Sequence, residues 1–405
     1  MITKEILTEV IKSQKEWINS IDKGIIREKL HEISLKKSFV IVISGIRRCG
    51  KSTFLNQILE TQKSFYYLNL EDPRLEGFEL KDFTRADEIF QELYGSQGIY
   101  FFDEIQNIKE WEKFIRFLAD RKTEIVITGS NASLLSRELG TKLTGRHINY
   151  ELFPFSYREF LNFTKQKPNE KSYSDYFYKG GFPEFLKEND ITVLQELLKD
   201  VLMRDIVNRF GIKNTAILRK LAIYLLSNTG KEFSYNSLRK ILEVKSVQSV
   251  IDYVSYLEDS YLIFTIPKFS YSYKEQQVNP KKIYSVDNGI SHANSVSFSK
   301  DKGKMLENNV FLNLRKKYRE IFYYQRNKEC DFVIKDREKI VQAIQVCYKF
   351  SDENQDREIK GLIEAMKEFN LKEGLILTYD QEDKLELGGK KINIIPVWKW
   401  LLNGN

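Results

Sequence analysis

Gly45-Ile46-Arg47-Arg48-Cys49-Gly50-Lys51-Ser52 matches the phosphate-loop pattern G-x-x-x-x-G-K-[ST] at every fixed position. The residues before it, Ser38-Phe-Val-Ile-Val-Ile-Ser44, form the apolar run of a buried strand, and Thr53 to Leu59 suits a helix. The pattern works only in that setting, because free N–H groups and the positive end of a helix meet the phosphates there. Glycine at 45 and 50 lets the backbone wrap closely without a Cβ. Residues 45–53, from Gly45 through Ile46, Arg47, Arg48, Cys49, Gly50, Lys51 and Ser52 to Thr53, are thus the expected nucleotide-binding segment. Lys51 is expected on the β/γ-phosphates of ATP and the Ser52 hydroxyl on Mg²⁺. Arg47 and Arg48 are expected to face solvent or substrate.

A second strand, Gly98-Ile-Tyr-Phe-Phe, ends in Asp103 and Glu104. Such a strand delivers the aspartate to the magnesium shell and leaves the glutamate to polarise the attacking water. Read alone, the pair would be an acidic strand cap; downstream of a phosphate loop it reads as catalytic. A third strand, Glu124–Thr128, runs into Gly129-Ser130-Asn131. Ser130 or Asn131 would stand at the strand tip as a γ-phosphate sensor, although Gly-Ser-Asn is also ordinary turn chemistry.

Strand-like runs at 38–44, 64–70, 98–102, 124–128 and 147–152 alternate with helical stretches, which predicts an α/β fold with a parallel sheet. Ligand then binds at the carboxyl ends of the strands. Residues 1–37 read as a polar helical arm, 38–155 as the nucleotide-binding core and 156–210 as a helical lid or linker. From 211 to 295, three helical stretches and two strands read as a winged helix-turn-helix. Lys245, Ser246, Gln248 and Ser249 open its third helix toward DNA, with Arg239 nearby. A packing or protein-contact module is the alternative for that segment. Residues 296–405 return to mixed α/β.

The 405 residues carry a net charge of +7, which permits nucleic-acid binding without requiring it. No apolar run is long enough to span a membrane. The first residues, Met1-Ile-Thr-Lys-Glu, lack the apolar core expected of a signal peptide. The three cysteines and three histidines fit no metal spacing. A reducing cytoplasm is the expected location.

The order of these blocks resembles a widespread prokaryotic group, AAA+-type P-loop ATPases with a carboxy-terminal DUF4143 region. The resemblance rests on GIRRCGKS, IYFFDEIQ, ITGSNASLL, LTGR (143–146), LFPFSYREF, KGGFPEFL, KIYSVDNGI (282–290), GKMLENNVF and ECDFVI. It implies an ASCE-type core, a winged-helix middle and a restriction-endonuclease-like carboxy-terminal fold. In an active nuclease of that type, a helix Glu, a strand Asp and a Glu-x-Lys pair surround Mg²⁺. Glu307 and Asp331 match the first two positions, but Gln345 and Cys347 stand where Glu and Lys are expected. That predicts an inactive cleft, even with Lys349 nearby. Arg146 in LTGR is the candidate finger arginine, on its own nucleotide or a neighbouring subunit's. A surface ion pair is its alternative, and Arg204 is a second candidate.

Together these features predict a Mg²⁺-dependent ATPase that binds double-stranded or branched DNA, as a homo-oligomer. An ATP-gated signalling switch of the STAND type and an ATP-regulated nuclease are the alternatives.

Overall fold

The computed structural model describes residues 2–37, 39–130, 145–295 and 301–403. The chain divides into two compact units, Met1–Phe153 with Asp259–Tyr261, and Pro154–Glu258 with Leu262–Asn405.

In the first unit, β1 (Val40–Ser44), β2 (Phe65–Asn69), β3 (Ile99–Asp103), β4 (Ile125–Gly129) and β5 (His147–Glu151) form a parallel sheet in the order β2-β3-β4-β1-β5. Every residue of β1, β3 and β4 is buried, as continuous apolar runs in a helix-covered parallel sheet should be. β5 closes one edge and is half-buried along its length. β4 lies between the loop-bearing β1 and β3. The register sets Ser44 beside Gly129, and Phe102 beside Ile127, so the loop, Asp103 and Thr128 share one end of the sheet.

Helices Leu80–Tyr94 and Trp111–Asp120 pack their apolar faces on this sheet. Phe83 stacks on Phe114 at 4.8 Å and meets Phe102 edge-on at 5.6 Å. The amino-terminal segment is not a polar arm standing apart. Its helix, Lys4–Ser20, is amphipathic and sends Leu7, Val10 and Ile11 into the same core. Gln14 adds an edge-like pair of bonds, donating to Asn69 O and accepting from Asn69 N–H.

The second unit opens with short helices from Tyr157 to Phe210. Then come helix Thr215–Ser227, β6 (Glu232–Phe233), helices Tyr235–Leu242 and Val247–Asp259, β7 (Ile263–Pro267) and β8 (Lys281–Ser285). These three strands pair in the order β6-β8-β7. The sequence reading missed β6, which is only two residues long. Beyond lie helices Lys302–Lys317 and Gln355–Glu368 and a mixed sheet of β9 (Glu320–Gln325), β10 (Glu329–Asp336), β11 (Lys339–Cys347), β12 (Glu373–Thr378), β13 (Asp383–Leu387) and β14 (Lys390–Pro396). Its order is β13-β14-β12-β11-β10-β9.

A buried polar knot explains three of the sequence motifs. Asp287 accepts the N–H groups of Gly181 at 2.7 Å, Gly289 at 2.8 Å and Ile290 at 3.2 Å. Asn288 donates to Phe177 O and Met305 O, and Asn308 donates to Asn288 Oδ1. A Cβ on Gly181 would lie 2.3 Å from Phe155 O, so only glycine permits that approach. The KGGFP, VDNGI and LENN segments are therefore read here as a junction of backbone and side-chain bonds.

Candidate phosphate-binding site

The loop after β1 is shaped by contacts that leave no room for larger residues. A Cβ on Gly45 would sit 2.1 Å from Leu152 O, and Gly50 adopts φ +97° at the start of helix Lys51–Leu59. From behind, the buried guanidinium of Arg27 donates to Cys49 O at 2.9 Å and to Phe153 O at 2.6 Å. Cys49 faces inward and its thiol is pushed up by burial, which leaves it a packing group. Ile46 is buried, Arg48 is exposed at φ 62°, and Arg47 pairs with Glu71 at 3.1 Å. Thr53, in the first turn of the helix, is half-buried.

The buried Lys51 ammonium donates to Gly45 O at 3.1 Å and Ile46 O at 3.3 Å, and lies 3.6 Å from Glu104 Oε1. Asp103 is fully buried, with Tyr67 OH donating to its Oδ2 at 3.3 Å and the Thr128 hydroxyl donating to Oδ1. The Ser52 hydroxyl also bonds this carboxylate. Burial and the adjacent Glu104 carboxylate push Asp103 above the usual range, outweighing those donors. Burial pushes Glu104 the same way, but the Lys51 ammonium and the Gln106 amide outweigh it and hold Glu104 low.

Glu104 stands at φ 52°, a left-handed conformation uncommon for a residue with a Cβ. Its N–H is held by Thr128 Oγ1 at 2.9 Å. One hydroxyl on β4 thus fixes both Asp103 at the end of β3 and Glu104 just beyond it. Gln106 donates to Glu104 Oε2 at 2.5 Å and reaches Ser130 Oγ at 3.4 Å. Ser130 is buried at the tip beyond β4. Asn131 lies outside the described residues. The sequence reading quoted Gln106 and Thr128 in their motifs but gave them no role. Their signal was position, one at the strand tip and one two residues past the acid pair.

The donors fit a magnesium–nucleoside triphosphate. The loop presents a helix N-terminus, a buried ammonium sits inside it, and a hydroxyl and a carboxylate meet beside it.

An AAA domain family model matches residues 37–161, and models for two domains of unknown function, DUF8612 and DUF4143, match 170–301 and 302–400. The uncharacterized protein MJ1544 of Methanocaldococcus jannaschii is 36% identical over 99% of this chain and 96% of its own length. An uncharacterized protein of Haemophilus influenzae is 30% identical over 90% and 94%. The chain belongs to this family of AAA-domain proteins with a carboxy-terminal DUF4143 region. Among solved structures, the Walker-type ATPase PABY2304 of Pyrococcus abyssi covers 72% of this chain and 95% of its own, at 14% identity and a TM-score of 0.42. That likeness is too low to bear on the site.

Other motifs of the AAA–DUF4143 chain fall elsewhere. Arg146 precedes β5, and its carbonyl accepts Val40 N–H, so it stands at the amino-terminal end of the sheet. The loop is at the other end, roughly 13 Å of strand away. Arg146 is exposed and pairs with Asp120 at 3.2 Å. Arg146 and the loop thus stand at opposite ends of the sheet. Arg204 is exposed beside Asp200 at 3.4 Å.

Lys245 and Ser246 are exposed just before helix Val247–Asp259, with Gln248 exposed and Ser249 and Arg239 half-buried. Gln248 donates to Asp252 at 2.8 Å. Glu307, on helix Lys302–Lys317, and Asp331, on β10, do come together, and Gln345 of β11 takes Asp331 N–H at 3.2 Å. Cys347 is buried and its thiol is pushed up to about 11, mainly by burial. Among the described residues, no helix is long and apolar enough to cross a membrane.

Proposed function

We propose that this protein is a Mg²⁺-dependent ATPase that assembles as an oligomer and couples ATP hydrolysis to remodelling or recognising double-stranded or branched DNA. The observation that carries the ATPase reading is the buried Lys51–Glu104 pair beside Asp103 and Ser52. The N–H groups of residues 45–53 cradle the phosphates and Lys51 neutralises the β/γ oxygens. Asp103 and Ser52 would hold Mg²⁺, which supplies positive charge against the charge spread over the transferring phosphoryl group. Glu104, kept ionised by Lys51 and Gln106, orients the attacking water. Ser130, joined to Glu104 through Gln106, reports the γ-phosphate, with Asn131 the other candidate. Arg146, too far from its own loop, acts on a neighbouring subunit's nucleotide.

The DNA reading rests on connectivity. Helix, strand, two helices and two strands paired antiparallel is the order of a winged helix, here with a short helix, Tyr273–Val278, between the last two strands. Lys245 and Ser246 precede its third helix, which carries Gln248 and Ser249, with Arg239 on the helix before. The exposed Glu243 and the half-buried Asp252 dilute this surface and favour, as second reading, a switch acting on protein partners. The region 296–405 is read as a restriction-endonuclease-like fold without cleavage activity, since Gln345 and Cys347 replace an acid and a cation. Three free cysteines support a cytoplasmic location.

Measuring ATP turnover of the wild-type chain with and without linear, forked and four-way junction DNA tests the whole reading. Turnover that no DNA alters would move the assignment to the protein-partner switch.

A further inference from the structure

The degenerate cleft of the carboxy-terminal region does not fit the divalent cation that the family resemblance implies. A lysine from another element fills the position. Lys282, on β8 in the KIYSVDNGI motif, is 1% exposed. Its ammonium lies 2.9 Å from Asp331 Oδ1, 3.0 Å from Glu307 Oε1 and 2.6 Å from Glu329 Oε1.

The remaining oxygens of the two buried acids are also taken. Glu307 Oε1 accepts Tyr284 OH at 2.7 Å, and its Oε2 accepts Lys304 Nζ at 2.7 Å. Asp331 Oδ2 accepts Val346 N–H at 3.0 Å. Gln345, at the replaced acid, donates to Glu358 Oε2 at 2.6 Å, and Arg357 covers the other oxygen of that glutamate. The three carboxylates that converge here, Glu307, Glu329 and Asp331, are thus already held by the Lys282 ammonium. The cleft above, about 650 Å³, is lined by Glu307, Asp331, Gln345 and Cys347 with Lys304 and Lys349.

We propose that Lys282 is the resident cation of this cleft, an internal ammonium that stands where the metal would and ties the three-stranded sheet to the six-stranded one. Three carboxylate oxygens converging on one buried atom need a positive charge to offset their repulsion. A divalent ion supplies it in a metal site, and an ammonium with three donors supplies it here. An ammonium differs from an ion in being covalently fixed to β8. The junction between the sheets is then independent of metal supply and resistant to chelators. This inference does not depend on the ATPase reading, since its residues lie wholly in the second unit.

The test counts Mn²⁺ bound per chain, by electron paramagnetic resonance, without nucleotide. Wild type and Asp331→Asn should bind Mn²⁺ alike, because the cleft takes none in either. Lys282→Ala should melt at lower temperature. It should gain a saturable Mn²⁺ site, recover part of its melting temperature with Mn²⁺, and lose both gains when Asp331→Asn is added. Mn²⁺ bound by the wild type and lost in Asp331→Asn would overturn the proposal. So would a folded Lys282→Ala that takes up no additional Mn²⁺. Should Lys282→Ala fail to fold, the comparison of wild type with Asp331→Asn, and melting of the wild type in excess chelator, still decide it. A chelator-sensitive junction in the second unit overturns it.

Discussion

Gln106 donates its side-chain amide to Glu104 Oε2 at 2.5 Å, two residues along the chain from the acid it holds. Burial alone would push Glu104 up. Lys51 and Gln106 pull it down, so the carboxylate is ionised at neutral pH. Removing Gln106 removes part of that pull. Gln106→Ala should raise the apparent pKa on the acid limb of kcat, so that activity is lost at higher pH as the solution is acidified. Its plateau rate should fall about tenfold, a fraction of what a general base contributes. A pH–rate profile checks both, and an acid limb that does not move would show that Gln106 acts elsewhere.

Lys51 and Glu104 make different demands on the nucleotide. Lys51→Ala removes the ammonium on the phosphates, so ATP affinity should fall by about tenfold or more. It also leaves Glu104 buried without its nearest cation. Glu104→Gln keeps size and burial but not charge, so binding should persist while kcat falls about a hundredfold. Fluorescent-nucleotide titration beside single-turnover hydrolysis separates the two. Wild-type hydrolysis by Glu104→Gln would remove it from the role of base.

The phosphate loop and Asp103–Glu104 were legible because their residue types are dictated by contacts at fixed spacing. Gly45 meets Leu152 O, and Asp103 ends a strand with no polar residue before its tip. The supports of that site were not legible. Thr128 acts only because β4 lies between β1 and β3, a sheet order that no local pattern encodes. Arg27 braces the loop from a segment with no strand or motif of its own. Strand β13 was missed because Asp383–Leu387 is nearly all exposed and its apolar alternation is only two residues long, Leu385 and Leu387. Lys282 was quoted in a motif, yet its three acid partners come from a separate helix and strand. Long-range polar pairing of this kind leaves no periodic trace in the chain.

Arg146 at the amino-terminal end of β5 makes a sharp statement about assembly. If it serves a neighbouring subunit, Arg146→Ala should lower kcat by about a thousandfold with ATP affinity nearly unchanged. Mixing it with Lys51→Ala should then restore activity, because one subunit brings the loop and the other the arginine. Turnover per chain that is independent of protein concentration, from a monomer by light scattering, would rule out the shared site.

Asp287 in the polar knot predicts a pH dependence of stability. Burial raises its carboxyl from an ordinary value of 3.8 to about 7, against three N–H donors that pull it down. A raised folded-state pKa means that the protonated form is favoured by folding. Its stabilisation is full below the ordinary carboxylate value and is lost as pH rises through about 7. Asp287→Asn cannot titrate, and its NH₂ would oppose Gly181 N–H, so it should be less stable at all pH. The difference in melting temperature between wild type and Asp287→Asn should therefore shrink from pH 4 to pH 7 and flatten above. A difference that grows over that interval would place the folded pKa below the ordinary one.

The charge pattern at helix Val247–Asp259 makes the DNA reading measurable apart from the ATPase. Lys245 is exposed ahead of that helix, and Arg239 lies on the preceding helix. Phosphate contacts release counterions, so each lost contact makes the log–log dependence of affinity on salt shallower by about one unit of slope. Lys245→Glu with Arg239→Glu should weaken duplex binding uniformly across sequences and reduce the slope by about two. Neither side chain lies in the core, so folding should be preserved, which circular dichroism verifies. ATP hydrolysis without DNA should stay at the wild-type rate, because both residues lie outside the phosphate-binding unit. If affinity and slope both match wild type in the folded double variant, this helix does not carry the duplex, and the acids Glu243 and Asp252 then mark a protein-facing surface.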